Sequence, residues 1–198
     1  MSLVSRDEMQ SIYALLLKYN VMLTQITPAQ KLVLYGLEEK SFKQLQKELD
    51  DIFVAGRVKT QHTITQITSL RCCPDPDQCK YSITSSKNLG INLSRLTFSK
   101  PFPHKVKVSI SACSMCCTEP LVRDIGIVAH RKGWKIFFGG NGGGKPRIAD
   151  LVAANLNEEE IVVLVKKLLV FYTENAHKKQ RTARFVETFG IDAIKNNV

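Results

Sequence analysis

The chain has 198 residues, 44% apolar and 8% aromatic, which is enough to bury a core in one domain or two small ones and excludes a disordered composition. Its 28 lysines and arginines outnumber 18 acidic residues, and the net charge of +10 points to an anionic partner: nucleic acid, an acidic cofactor, a small anion or an acidic protein. The N-terminus has early acidic residues and no long apolar run before a small-residue cleavage site, and no stretch approaches the roughly 18 apolar residues of a membrane span, so a cytoplasmic protein is expected.

In chain order, residues 7–19 are predicted to form an amphipathic helix with Met9, Ile12, Leu15, Leu16 and Tyr19 on its apolar face. "VMLTQI" and "KLVLYGL" are predicted strands with Pro28 in their connection, and "KSFKQLQKELDDIF" a helix starting near Ser41. A boundary is expected between residues 54 and 62. Four strand-like runs follow: "HTITQI" before a first cysteine group, "KVKVSIS" before a second, "DIGIVAH" after it, and "WKIFFGG", whose Trp134 is expected to pack, before a glycine-rich loop. From residue 158 the chain reads as helical, with Asn157 as N-cap and Glu160 at the capping-box position. The fold class is α+β, with helices of the N-terminal half packed on an antiparallel or mixed sheet.

All six cysteines fall in two short groups. "RCCPDPDQC" contains Cys73-x5-Cys79, "CSMCC" contains Cys113-x3-Cys117, and 33 residues separate the two pairs. In a reducing compartment such thiols are free, redox-active or metal-bound rather than a disulfide framework. Structural zinc prefers shorter knuckles than the five-residue gap, and the bacterial ferredoxin run C-x2-C-x2-C is absent. A four-thiolate iron-sulfur site of the 4Fe-4S type fits best, with structural zinc and thiols that merely fill space as alternatives. The register stays open, because Cys72 stands beside Cys73 and Cys116 beside Cys117.

Lys105 and Lys107 are two residues apart and share a strand face, either as an anion site or as an ordinary solvated face. Arg57, Lys59 and Arg71 flank the first cysteine group and are equally readable as surface charge. His104 is favoured as a loop histidine over a proton relay. The loop "GGNGGGKPR", Gly139 to Arg147, has Pro146 where a phosphate-binding loop needs Ser or Thr, so its glycines are expected to let backbone approach a bulky group. No recognised nucleic-acid motif accompanies the basic charge.

The stretches "LTQITPAQKLVLYGL", "CPDPDQC", "HKVKVSISACSMCC", "LVRDIGIV" and "FFGGNGGGKPRIADLV" cover most of residues 20–155, and together they resemble the nitrite and sulfite reductase family. That resemblance implies a ferredoxin-like half-domain, residues 1–60, followed by a cluster and siroheme domain, residues 61–198, in the small single-unit form. It implies Cys73, Cys79, Cys113 and Cys117 as ligands of a 4Fe-4S cluster, with Cys117 also the bridge to siroheme iron. Lys105 and Lys107 would bind the substrate anion and supply protons. Arg57, Arg71, Lys145 and Arg147 would meet siroheme carboxylates, and Asn141 and Gly142 would lie in the loop beside both cofactors. Ser114 and Met115 replace the family's usual Pro-Asn, and Ala29 stands where the family carries an arginine. The implied activity is siroheme-dependent reduction of sulfite or nitrite with electrons from an external donor such as ferredoxin. The alternative is an iron-sulfur electron-transfer or redox-sensing protein lacking siroheme.

Overall fold

The computed structural model describes residues 5–27, 32–52 and 65–198. Pro28, Ala29, Lys31, Arg57, Lys59 and His62 lie outside the described residues. The chain divides into two compact units, Met1–His62 and Thr63–Val198.

In the first unit, α1 (Arg6–Lys18) starts at a capping box: the Glu8 amide donates to Ser5 Oγ at 3.1 Å and the Ser5 amide to Glu8 Oε2 at 2.7 Å. Ile12 and Leu15 are buried, whereas Met9, expected on the same face, is half exposed. β1 (Leu23–Ile26) and β2 (Leu32–Tyr35) pair antiparallel from Leu23↔Tyr35 to Ile26↔Leu32. α2 (Glu39–Ile52), starting two residues before Ser41, meets α1 where Glu48 accepts from Lys18 Nζ at 2.7 Å and Tyr19 Oη at 2.7 Å. Of the antiparallel or mixed sheet expected in this half, the described residues of the first unit hold the antiparallel β1–β2 pair, and the mixed sheet lies in the second unit.

The second unit is built on a five-stranded sheet of order β3-β4-β5-β6-β7: β3 (Ser69–Cys72), β4 (Lys107–Ser111), β5 (Ile125–His130), β6 (Gly133–Phe138) and β7 (Asp150–Leu156). The first three strands are parallel and the last two antiparallel. The strand expected over "HTITQI" starts later, at Ser69, and runs into the cysteines; Gln66 makes only an isolated antiparallel bridge to Thr97. β5 is buried on both faces, as a central strand must be, and β6 alternates with Trp134, Ile136 and Phe138 inward.

Two elements were not legible in the sequence. α3 (Lys87–Ser94) contains Gly90 and two asparagines and lacks a side-chain cap, yet it forms because Leu89 and Leu93 are fully buried. A methyl at Gly90 would lie 2.6 Å from Cys72 Sγ, so the glycine permits the close approach of α3 to β3. β7 has the weak strand formers Ala153, Ala154 and Asn155, and its pairing with β6 is irregular.

The helical C-terminus is broken in two places. α4 (Glu158–Asn175) begins at the expected Asn157–Glu160 capping box, with both reciprocal bonds at 2.8 Å, and buries Ile161, Val165, Leu168, Leu169 and Tyr172. α5 (Thr182–Phe189) follows an extended Ala176 and a turn, and α6 (Ile191–Lys195) follows Gly190 at φ +83°. The Tyr172 ring stands edge-on to Phe138 at 6.4 Å and to Phe185 at 5.5 Å, which closes the core between sheet and helices.

Asp124, immediately before β5, joins these layers. It is 0% exposed, accepts from the Lys107 amide at 2.9 Å, from Arg181 Nη2 at 2.9 and 3.1 Å, and from the Thr182 hydroxyl. One carboxylate thus ties the start of β4 to the start of α5. Asp124→Ala removes this link and leaves the Arg181 guanidinium without its counter-ion, which costs about 3–5 kcal/mol. A drop of that size in urea-unfolding free energy is expected, and a loss under about 1 kcal/mol would show that Asp124 is not the link.

Candidate functional site

Both cysteine groups leave the same ends of neighbouring parallel strands. Cys72 pairs with Ile110, and the Cys73 amide continues the ladder to Ile110 O at 3.1 Å, so Cys73 and the residues after Ser111 emerge side by side. Side chains alternate along β3, and the two adjacent thiols therefore part company. Cys72 faces α3 against Gly90, where burial pushes its thiol up to about 11. Cys73 faces the opposite side with Arg71, Ser109 and Ser111. Burial also pushes the Cys73 thiol up, against hydrogen bonding from the Ala112 backbone and Ser111, and nearby Cys113 and Cys117 push it further.

The two loops are held by their own backbones. Asp75 O accepts from the Gln78 amide at 2.9 Å and the Cys79 amide at 3.1 Å, while Asp75 Oδ1 accepts from Ser85 Oγ at 2.6 Å. The Ile83 amide donates to Ala112 O at 3.0 Å and stitches the first loop to the second. In the second loop Cys116 and Glu119 are left-handed, at φ 54° and 60°, which turns the chain back over the sheet. Thr118 then seats on the polar face, its carbonyl accepting from Ser109 Oγ and its hydroxyl 2.7 Å from Ser111 Oγ. Cys113 is buried, Cys79 and Cys116 are half-buried and Cys117 is exposed. Burial raises the Cys116 thiol, with Cys113, Cys117 and Cys73 adding to it.

Among the described residues no three His, Cys, Asp or Glu side chains converge on a single metal-ion position. A cubane cluster makes a different demand, one thiolate for each of its irons, and thiols spread over two loops are suited to that donor pattern. The orphan atoms beside them suit an additional anion: Arg71 Nε and Arg123 Nε are buried without a protein acceptor.

The cations share the thiol-bearing face. Arg71 and Ser109 pair across β3 and β4, and Ser109 pairs with Gly126 on β5, where a methyl would collide with Pro120 O. The chain from Cys117 to Arg123 therefore lies flat on this face, through a 3-10 turn at Pro120–Val122. Arg71 donates to Glu119 Oε2 at 3.0 Å and Arg123 donates to the same oxygen.

Lys105 is exposed and Lys107 half-buried on either side of fully buried Val106. Only Lys107 lies on β4, as its first residue, and Lys105 precedes the strand expected to carry both; Lys107 is at the opposite end of β4 from Cys113, a six-residue step of about 20 Å of extended chain. The return run narrows that gap, since Thr118 lies over Ser109, two residues from Lys107. Burial pulls the Lys107 amine below its ordinary range, Arg181, Lys105 and Arg123 pull it further, and Asp124 opposes them.

The glycine loop abuts the same return run: Gly140 lies against the Leu121 and Arg123 carbonyls, and the Ala149 amide donates to Leu121 O at 2.8 Å. Asn141 closes the loop on itself, donating from Nδ2 to Lys145 O at 2.6 Å and accepting from the Gly143 amide at 3.3 Å. Gly142 and Lys145 are exposed. Arg147 is committed internally, donating to Gly139 O at 2.9 Å, to Ile148 O at 3.0 Å and to Asp150. His104 is half-buried, with a buried Nδ1 that has no protein partner. The structure thus brings together Cys73, Cys113, Cys116 and Cys117 with Arg71 on the same face, and adds four further residues, Arg123 and Glu119 against Arg71, and Arg181 and Asp124 at the Lys107 end of β4. Sequence reasoning did not single out these four. Arg123 and Asp124 lay in the quoted "LVRDIGIV", but nothing in that string shows that it returns over the cysteine-bearing face.

A family model described as the nitrite and sulphite reductase 4Fe-4S domain matches residues 63–198. The assimilatory-type sulfite reductase of Nitratidesulfovibrio vulgaris is 33% identical over 197 residues, 99% of this chain and 87% of that protein. The large subunit of nitrite reductase (NADH) of Escherichia coli is 32% identical over 175 residues, 87% of this chain but 20% of that protein. The solved structure of Mycobacterium tuberculosis NirA matches with a TM-score of 0.71 at 17% identity, over 93% of this chain and 36% of NirA, and shows the shared mixed α and β fold. Family match, relatives and fold agree, and the chain belongs to the nitrite and sulfite reductase 4Fe-4S domain family of oxidoreductases.

Proposed function

We propose that the chain reduces sulfite or nitrite at a siroheme served by a 4Fe-4S cluster, with the cluster on Cys73, Cys79, Cys113 and Cys117 and Cys117 shared with siroheme iron. The observation that carries this reading is the departure of both cysteine loops from the same ends of β3 and β4, onto a face that also holds Arg71, Arg123 and Lys107. In this reading the first unit is the ferredoxin-like half-domain and the second the cluster and siroheme domain, with an external electron donor such as ferredoxin. The relatives include both sulfite and nitrite reductases, which supports the reaction class and leaves either anion as substrate. Among the described residues no helix is long and apolar enough to cross a membrane.

When bound, the cofactor pair supplies single electrons to an anion held at iron. The protein's own groups do the rest. Arg71 and Arg123 present guanidinium forks for carboxylate or oxyanion oxygens. Lys105, just ahead of β4, and Lys107, its first residue, add positive charge, and Lys107, made more acidic by burial and by neighbouring cations, is suited to releasing a proton to a bound anion. The Arg181–Asp124 pair fixes the backbone from which Lys107 projects.

The visible spectrum of anaerobically purified protein tests the reading. Haem-type bands on top of cluster absorption are expected; cluster absorption alone, under conditions that load siroheme into relatives, would identify an electron-transfer or sensing protein instead.

The thiol assignment predicts that serine at Cys73, Cys79, Cys113 or Cys117 lowers iron content, while serine at Cys72 or Cys116 leaves it near that of the unmodified chain. Full iron in Cys73→Ser, or its loss in Cys72→Ser, would reverse the register at the first loop. The lysine assignment predicts that alanine at Lys105 or Lys107 lowers turnover by on the order of 10²-fold with iron content unchanged. Because only the charged amine donates, the rate should fall as pH rises through the Lys107 pKa, which lies below the ordinary 10.5. Lys107→Arg should move that basic limb upward. Unaltered turnover in both alanine variants would place anion handling on the arginines alone.

A further inference from the structure

Among the described residues Glu119 is the one acidic side chain in contact with Arg71 and Arg123, and its geometry is unusual for a surface ion pair. Both guanidiniums donate to the same oxygen, Oε2. Each arginine side chain is only 15% exposed, while that of Glu119 is 57% exposed, so the anion reaches the two cations from the solvent side. Both Nε atoms are buried without an acceptor, which leaves the pair under-supplied with negative charge even with Glu119 in place. Glu119 also holds a left-handed backbone at φ 60°, a conformation that suits Asn or Asp better than Glu. Two cations this close and this buried need a counter-anion, and the exposed carboxylate is the member of the cluster free to leave.

We propose that Glu119 is a resident counter-ion, occupying an oxyanion site between Arg71 and Arg123 and surrendering it to an oxyanion of the incoming ligand. The inference rests on the reading above for the ligand's identity. A siroheme carboxylate and sulfite present the same chemistry, oxygens that accept from a guanidinium fork. Displacement by either swings the Glu119 side chain to solvent and fills the site with an anion able to meet more of the donors. The Glu119 carboxylate thereby lowers apparent affinity, because the ligand must compete with it.

The test uses the anaerobically prepared full chain carrying its cluster but no siroheme, with two arms: calorimetric titration with sulfite, and siroheme uptake followed by absorbance. Glu119→Asn removes the charge and suits the left-handed backbone, and Glu119→Gln keeps the side-chain length should the first variant fold poorly. Binding several-fold tighter in at least one arm is expected, and the arm that moves identifies the oxyanion. Adding Arg123→Gln to the same chain should cancel the gain, a response that a merely structural Glu119 would not give. Weaker or unchanged binding in both arms, or no measurable binding in any variant, would overturn the proposal. Neither arm requires turnover, so a chain that binds as expected but reduces neither anion fails the functional reading alone, and a chain that reduces them without the tightening fails this one alone.

Discussion

The parallel pairing of β3, β4 and β5 is the constraint from which the site follows. A parallel neighbour cannot be reached by a tight hairpin, so the chain leaving each strand must travel back along the sheet before it re-enters. Here the first return uses α3 on the apolar face and the second uses residues 112–124 on the polar face. The departures put two cysteine loops side by side, and the second return lays Thr118, Glu119 and Arg123 across the strand that carries Lys107.

That polar face has to be neutralised. Four of its cations, Arg71, Lys107, Arg123 and Arg181, are partly or largely buried, and the described contacts meet them with two carboxylates of contrasting character. Asp124 is fully buried and shared among a backbone amide, a guanidinium and a hydroxyl, so it belongs to the fold. Glu119 is exposed, and among the described residues its carboxylate bonds only to guanidiniums, so it belongs to the exchangeable side of the site. Nε atoms left without acceptors on Arg71, Arg123 and Arg181 give the face an unspent capacity for anions, in keeping with the chain's excess positive charge.

Much of this was readable before the structure. The cysteine spacing, the apolar runs of β4, β5 and β6, and the capping box at Asn157 each follow a local rule, and each local preference agrees with its tertiary setting. α3 and β7 escaped because their residues are poor helix and strand formers, recruited by burial of Leu89 and Leu93 and by pairing with β6. Separation of Cys72 from Cys73 is a consequence of strand alternation and depends on β3 extending to Cys72, an end point that no local sequence pattern marks. The roles of Arg123, Arg181, Glu119 and Asp124 depend on where a loop travels in space, which periodicity does not encode. Arg147 shows the converse: a basic residue in a suggestive loop whose guanidinium is already spent on holding that loop.

The central claim is that two loops from adjacent parallel strands deliver four thiolates to one iron-sulfur cluster. Anomalous diffraction at the iron edge, from crystals grown without oxygen, tests it most directly. A four-iron cluster is expected with Cys73, Cys79, Cys113 and Cys117 as its protein ligands, Cys72 turned away against Gly90. A single metal ion, or a cluster ligated through Cys72 or Cys116, would contradict it.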